Sequence, residues 1–215
     1  MVKLFRSMMR IYMFQPAITI TVLVLLTGMV SAQKNILFFG NSLTAGYGLS
    51  PDEAFPAIAA ELLQQKGKAV KVINGGLSGE TSAGGLTRID WMLRQPVDIL
   101  VLELGANDGL RGLPLEQTRL NLQGIINKAR AKNPKIKIVI AGMMVPPNMG
   151  PEYSEKFQQL FKDLAQKNQA VLIPFLLEGV AGHPHLNLPD GIHPNAAGHR
   201  IVAQTVLQYL EPLLH

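Results

Sequence analysis

Five short apolar runs, each closing on glycine or proline, constrain this chain more than any other feature. Asn35-Ile36-Leu37-Phe38-Phe39 stops at Gly40, and Val70-Lys71-Val72-Ile73 stops at Asn74-Gly75-Gly76. Ile99 to Leu104 stops at Gly105, Ile136 to Ile140 at Ala141-Gly142, and Val171-Leu172-Ile173 at Pro174. Runs this short and continuous are the mark of strands buried on both faces. Between them the apolar period lengthens to that of a helix. Phe55, Ile58, Ala59, Leu62 and Leu63 share one face, as do Leu122, Ile125, Ile126 and Ala129. Phe157, Leu160, Phe161, Leu164 and Ala165 form a third such face, and Ile201, Val202, Val206, Tyr209 and Leu213 a closing helix. Strands alternating with helices predict an α/β class fold: three layers, α/β/α, around a five-stranded parallel sheet in flavodoxin-like order. Ligands of such sheets sit beyond the carboxyl ends of the strands. No internal repeat, low-complexity tract or second-domain linker interrupts the pattern.

The start of the chain reads differently. Lys3, Arg6 and Arg10 precede an uncharged, mostly apolar run from Ala17 to Val30, and Val30-Ser31-Ala32 places small or apolar residues at the −3 and −1 positions of a cleavage site. This order predicts a signal peptide over residues 1–32, cut after Ala32, with the domain over 33–215. A retained anchor is the alternative, since the charge-free stretch from Ile11 to Gln33 approaches the length of a span; Gln15 and Pro16 interrupt it. The expected product is exported, periplasmic or secreted, with no stable membrane anchor. Without residues 1–32 the chain has 17 Lys+Arg against 15 Asp+Glu, so most of the excess charge leaves with the leader. No basic stripe calls for nucleic acid. Cysteine is absent, which excludes disulfides, a thiolate nucleophile and a lipidated cysteine.

Polar loops follow the predicted strands. Gly40-Asn41-Ser42-Leu43-Thr44-Ala45-Gly46-Tyr47-Gly48 holds a serine just past the first strand, where it is a candidate nucleophile or a helix cap. Gly76, in Asn74-Gly75-Gly76, can turn a backbone N–H toward a developing oxyanion or simply make a turn. Asn107, in Gly105-Ala106-Asn107-Asp108-Gly109, offers a neutral amide donor for the same purpose or a turn. Near the end, Asp190 and His193 are spaced so that a tight loop brings carboxylate to imidazole. A carboxylate on one ring nitrogen frees the other to take a serine proton, which a neutral hydroxyl must lose to attack. Ser78 and Ser82 are weaker nucleophile candidates and fit better as pocket wall or hydrogen-bonding residues.

Taken together, the Gly40–Gly48 block, Gly76, Asn107 and Asp190-x-x-His193 resemble, in chain order, the blocks of SGNH (GDSL-like) serine hydrolases. The resemblance spans the mature chain. It extends to the periplasmic thioesterase I/protease I/lysophospholipase group, often called arylesterases, through Asn107-Asp108-Gly109-Leu110-Arg111-Gly112 and Pro174-Phe175. One departure is Asn41, where the family motif has aspartate. The resemblance implies hydrolysis of acyl esters or thioesters, with lysophospholipids among the candidate substrates, and no cofactor. Ser42 is the implied nucleophile, His193 the base and Asp190 its orienting carboxylate. The Ser42 and Gly76 N–H groups and the Asn107 amide form the implied oxyanion hole.

Leu110, Leu113, Met143, Met144, Val145, Pro146 and Pro147 are candidates to line an acyl groove or to cap the core; Leu110 and Pro146 lead the substrate-binding expectation. An α/β-hydrolase requires G-x-S-x-G, but the first glycine after Ser42 is Gly46. A nucleotide-binding loop lacks its third glycine and its lysine. His183, His185, His193 and His199 have no standard zinc spacing, and no metal is expected. A carbohydrate-ester deacetylase of the same fold and a non-catalytic binding protein are the competing functions.

Overall fold

The computed structural model describes residues 32–214; all of the predicted leader except Ala32 lies outside them. Five strands form one parallel sheet: β1 (Lys34–Gly40), β2 (Val70–Gly76), β3 (Ile99–Glu103), β4 (Lys137–Ala141) and β5 (Val171–Ile173). The order is β2-β1-β3-β4-β5, the flavodoxin-like order expected of the sequence. All pairings are parallel, with Gly40 level with both Gly76 and Glu103. Three strand ends, and the loops beyond them, therefore meet at one rim.

The helices are α1 (Ser42–Ala45), α2 (Phe55–Gln65), α3 (Ser82–Met92), α4 (Ala106–Leu110), α5 (Leu115–Lys132), α6 (Pro151–Asn168) and α7 (Ala196–Leu210). Helix α2 packs with α7, while α3, α5 and α6 pack in series and make the other layer. Covered on both sides, β1 and β3 bury every residue from Ile36 to Gly40 and from Ile99 to Glu103. Phe38 and Phe39 are fully buried on adjacent positions, so each face of β1 presents a phenylalanine to a different helix layer.

Two departures from the sequence pattern have local causes. The closing helix stops at Leu210, and Leu213 lies in a 3₁₀ turn over Glu211–Leu213. Leu213 keeps the apolar period, but Pro212 has no N–H with which to continue the α-helical ladder. Helix α3 has no strong apolar period, because Gly84 and Gly85 occupy its first turns. Gly85 is needed there: a Cβ would overlap the Leu104 side chain.

Candidate active site

The rim at the carboxyl ends of β1, β2 and β3 holds the polar loops. Asn41 caps α1, its Oδ1 accepting the Leu43 N–H at 2.9 Å. Ser42 follows as the first residue of that helix, so its own N–H has no acceptor within the helix. Gly46, with φ of 76°, ends α1 after one turn and carries the chain back toward Ala54. The serine is thus held on a short helical turn directly above β1.

The Asp190 loop reaches this turn from the far end of the sequence. His193 Nε2 lies 2.9 Å from Ser42 Oγ, and His193 Nδ1 lies 2.7 Å from Asp190 Oδ2. The other Asp190 oxygen accepts the N–H groups of Ile192 and His193 at 2.9 and 3.0 Å. Bonds from the backbone N–H groups of His193 and Ile192, then from the His193 ring, hold the Asp190 carboxyl down at about 2. An ionised Asp190 assigns the ring proton to Nδ1 and leaves the Nε2 lone pair facing the serine hydroxyl. The loop is anchored at its end by Asn195, which caps α7 through the N–H groups of Ala197 and Gly198. Tyr47 leans over the imidazole, with ring centroids 4.6 Å apart, while half of the residue stays exposed.

Asn107 sits in the first turn of α4. Its Nδ2 donates to the Glu80 carbonyl at 3.0 Å, which leaves one of its two N–H groups free of that bond. The next residue pins this helix in place. The buried Asp108 carboxylate accepts from the Ser82 N–H at 2.8 Å, the Ser82 hydroxyl at 2.5 Å and the Thr118 hydroxyl at 3.3 Å. Ser82 is accordingly a buried hydrogen-bonding residue at the start of α3, with Asn121 Nδ2 donating to its oxygen at 2.9 Å. It is not part of a pocket wall.

The Gly76 N–H is already engaged, donating to Asn74 Oδ1 at 2.9 Å. Asn74 Nδ2 in turn donates to the Thr44 carbonyl. What Gly76 supplies is close approach: a Cβ there would overlap the backbone of Thr44 and Ala45. Further along, Leu77–Glu80 form a turn closed by Glu80 N–H to Leu77 O at 3.1 Å, with Gly79 at φ of 79°. Arg88 secures this turn. Its Nε donates to Glu80 Oε1 at 2.8 Å, and its Nη2 donates to Glu80 Oε2 at 2.5 Å and to the Gly75 carbonyl at 2.7 Å. The guanidinium also lies over the Phe39 ring, 4.4 Å from its centroid.

The candidate groove residues divide. Met143 and Val145 are buried in the core, whereas Leu110, Leu113, Met144 and Pro146 are exposed. The histidines also part company: His183 and His185 form an edge-to-face pair, and His199 is buried, its Nδ1 accepting the Phe55 N–H at 3.1 Å. Among the described residues no cluster of His, Cys, Asp or Glu is arranged to hold a metal ion.

Sequence reasoning did not single out Glu103, Arg88, Glu80, Asn74 or Tyr47. Glu103 had the clearest signal, as the one charged residue in an otherwise apolar run. It is buried to 1% exposure under the Ser42 turn.

The parallel sheet and this rim together define a serine hydrolase of the SGNH type. Residues 38–201 match the GDSL-like Lipase/Acylhydrolase family, and the chain belongs to that family. It is 39% identical over 193 residues to "Esterase TesA" of Pseudomonas aeruginosa, covering 89% of this chain and 94% of that protein. It is 37% identical over 195 residues to "Thioesterase 1/protease 1/lysophospholipase L1" of Escherichia coli (strain K12), covering 90% and 91%. A crystal structure of the psychrotrophic esterase EstA from Pseudoalteromonas sp., inhibited by monoethylphosphonate, superposes with a TM-score of 0.79 at 31% identity, covering 84% of this chain and 98% of that one.

Proposed function

We propose that this chain hydrolyses acyl esters and thioesters through an acyl-enzyme on Ser42. The observation that carries the reading is the 2.9 Å approach of His193 Nε2 to Ser42 Oγ, between residues 151 positions apart. Ser42 Oγ attacks the acyl carbonyl as its proton passes to His193 Nε2. Asp190, bonded to Nδ1, stabilises the resulting imidazolium. The carbonyl oxygen becomes an oxyanion and takes hydrogen bonds from the Ser42 N–H and the free N–H of Asn107 Nδ2. Gly79, in the turn that Asn107 and Arg88 tie down, is a better third donor than Gly76, whose N–H Asn74 holds. His193 then protonates the leaving alcohol or thiol. Water then attacks the acyl carbon as its proton passes to Nε2; the bond to Ser42 Oγ breaks, His193 returns the proton to that oxygen, and the acid leaves.

Exposed Leu110, at the end of α4 beyond β3, and Pro146, on the loop beyond β4, are assigned to the acyl chain. The relatives named as a thioesterase, a lysophospholipase and an esterase support this substrate class. Residues 1–32 are assigned to an export signal, leaving 33–215 as the working domain; amino-terminal sequencing of protein recovered outside the cytoplasm tests the cut after Ala32. Among the described residues no helix is long and apolar enough to cross a membrane.

The function is tested with a fluorophosphonate probe and p-nitrophenyl acyl esters. The parent is expected to label and to turn over short and medium acyl esters; Ser42→Ala is expected to do neither. Labelling that survives Ser42→Ala overturns the assignment of the nucleophile. As base, His193 is required for both readouts, so a His193→Ala variant that keeps parental labelling and turnover counts against it.

A further inference from the structure

Glu103 ends β3 as that strand's one charged side chain, and no step above uses it. Its carboxylate accepts three bonds from the nucleophile turn. Asn41 N–H donates to Oε2 at 3.1 Å, Asn41 Nδ2 donates to Oε1 at 2.8 Å, and the Thr44 hydroxyl donates to Oε2 at 2.8 Å. Gly40 makes room for this approach, since a Cβ there would overlap both the Thr44 hydroxyl and the Glu103 carboxylate.

A side-chain amide has a donor end and an acceptor end, whereas a carboxylate only accepts. Facing the ionised Glu103, Asn41 must present its Nδ2. Its Oδ1 is thereby turned to α1, where it accepts the Leu43 N–H at 2.9 Å and lies 3.4 Å from Ser42 Oγ. Reversing the amide would set Nδ2 against the Leu43 N–H, donor to donor, and uncap the helix that begins with Ser42. We propose that Glu103 is a positioning residue for the nucleophile: through Asn41 it fixes the amide that caps α1, and so the place of Ser42 Oγ beneath His193 Nε2. This rests on the acyl-enzyme reading of Ser42. It also gives a reason for asparagine at 41. An aspartate there would set two carboxylates face to face at the 2.8 Å contact and require a shared proton; the amide donates to the ionised Glu103 without one.

The test exchanges donor and acceptor. In Glu103→Gln alone, the new amide can satisfy the Asn41 N–H and the Thr44 hydroxyl only by pointing its NH₂ at Asn41 Nδ2. Either that bond or the α1 cap is lost. In Glu103→Gln with Asn41→Asp, the glutamine NH₂ donates to the new carboxylate, and every bond of the network is restored with its direction at one contact reversed. Steady-state kinetics on a p-nitrophenyl ester and fluorophosphonate labelling rates are measured on all variants at about pH 8, where Glu103 is ionised, with circular dichroism and thermal melting to establish folding. Glu103→Gln is expected to lower kcat and the labelling rate about 10- to 100-fold with KM changed less than about threefold. The double variant is expected to recover both rates to within about fivefold of the parent.

A folded Glu103→Gln with parental kcat overturns the proposal. So does a double variant that stays as slow as the single, or one that fails to fold, because its bonding is complementary. If Glu103→Gln does not fold, recovery in the double variant decides for the proposal. Failure of the underlying reading looks different: the parent itself then does not label, or Ser42→Ala labels, and the positioning role falls with it.

Discussion

Two buried titratable groups give the stability of this fold opposite dependences on pH, and their separation by mutation is a sharp test of the packing. Burial pushes the Glu103 carboxyl up from 4.5 to about 7, against the pull of the Thr44 and Asn41 hydrogen bonds. Burial pushes the His199 imidazole down from 6.5 to about 4, with the charge of His193 acting in the same direction. The geometry at His199 agrees, because its Nδ1 can accept the Phe55 N–H only when unprotonated. Folded Glu103 therefore keeps a proton that the unfolded chain releases. Its contribution is fully present below about 4.5 and is lost as pH rises to about 7. Folded His199 refuses a proton that the unfolded chain takes up. Its contribution is fully present above about 6.5 and is lost as pH falls to about 4.

Each displacement corresponds to about 3 kcal/mol across its window, with slopes of opposite sign near 1.4 kcal/mol per pH unit. In the parent the two offset one another between about 4.5 and 6.5. Removing either exposes the other. The stability of Glu103→Gln, taken relative to the parent, should rise by about 3 kcal/mol between pH 4.5 and 7. That of His199→Asn should fall by about as much between pH 4 and 6.5. The difference from the parent removes the background of surface carboxylates, and the shape with pH, not the offset, is the quantity predicted. Urea unfolding followed by far-UV circular dichroism, at steps from about pH 4.5 to 7.5, supplies it. Parallel curves for Glu103→Gln and the parent, within about 0.5 kcal/mol throughout, would refute the assignment of a protonated buried Glu103.

Two further outcomes follow from the same rim. Arg88→Ala leaves the Glu80 carboxylate, whose side chain is 3% exposed, without its partner, and removes the cation over Phe39. Stability should fall by about 3–5 kcal/mol, read from the urea midpoint, and a loss below about 1 kcal/mol would mean that the turn is not held by this pair. Tyr47→Ala uncovers the imidazole face, so kcat should fall about 2- to 5-fold at neutral pH, whereas Tyr47→Phe keeps the ring and should match the parent. Equal losses in both variants would place the effect on the hydroxyl instead.

The layers were legible because β1 and β3, buried on both faces, need unbroken apolar runs, and sequence shows such runs directly. Helix α6 was legible for the complementary reason, since Phe157, Leu160, Phe161 and Leu164 repeat on one stripe. Helix α3 was not, because its contact with the sheet depends on the absence of a side chain at Gly85, and a glycine in sequence reads equally well as a breaker. Ser42 stood out by residue type at the end of an apolar run, and Asp190 and His193 by residue type and spacing. The structure brings these three together. Asn107 also reaches the rim, as part of one helical turn where a loop was expected.

The donors and positioning groups were harder to read because a hydrogen bond belongs to two residues, and sequence shows only one at a time. Gly76 has the freedom to offer its N–H, and nothing in the run Asn74-Gly75-Gly76 says that the asparagine two residues before it takes that bond. Glu103 carries the opposite lesson. A lone carboxylate closing the run Ile99 to Leu102 is costly to bury unless donors await it. Those donors come from Asn41 and Thr44, one sheet neighbour away, in a register that brings Gly40 level with Glu103. A charged residue at the carboxyl end of a buried parallel strand, paired in register with a glycine that precedes a polar turn, is thus itself a readable sign that the turn above it supplies donors to that charge.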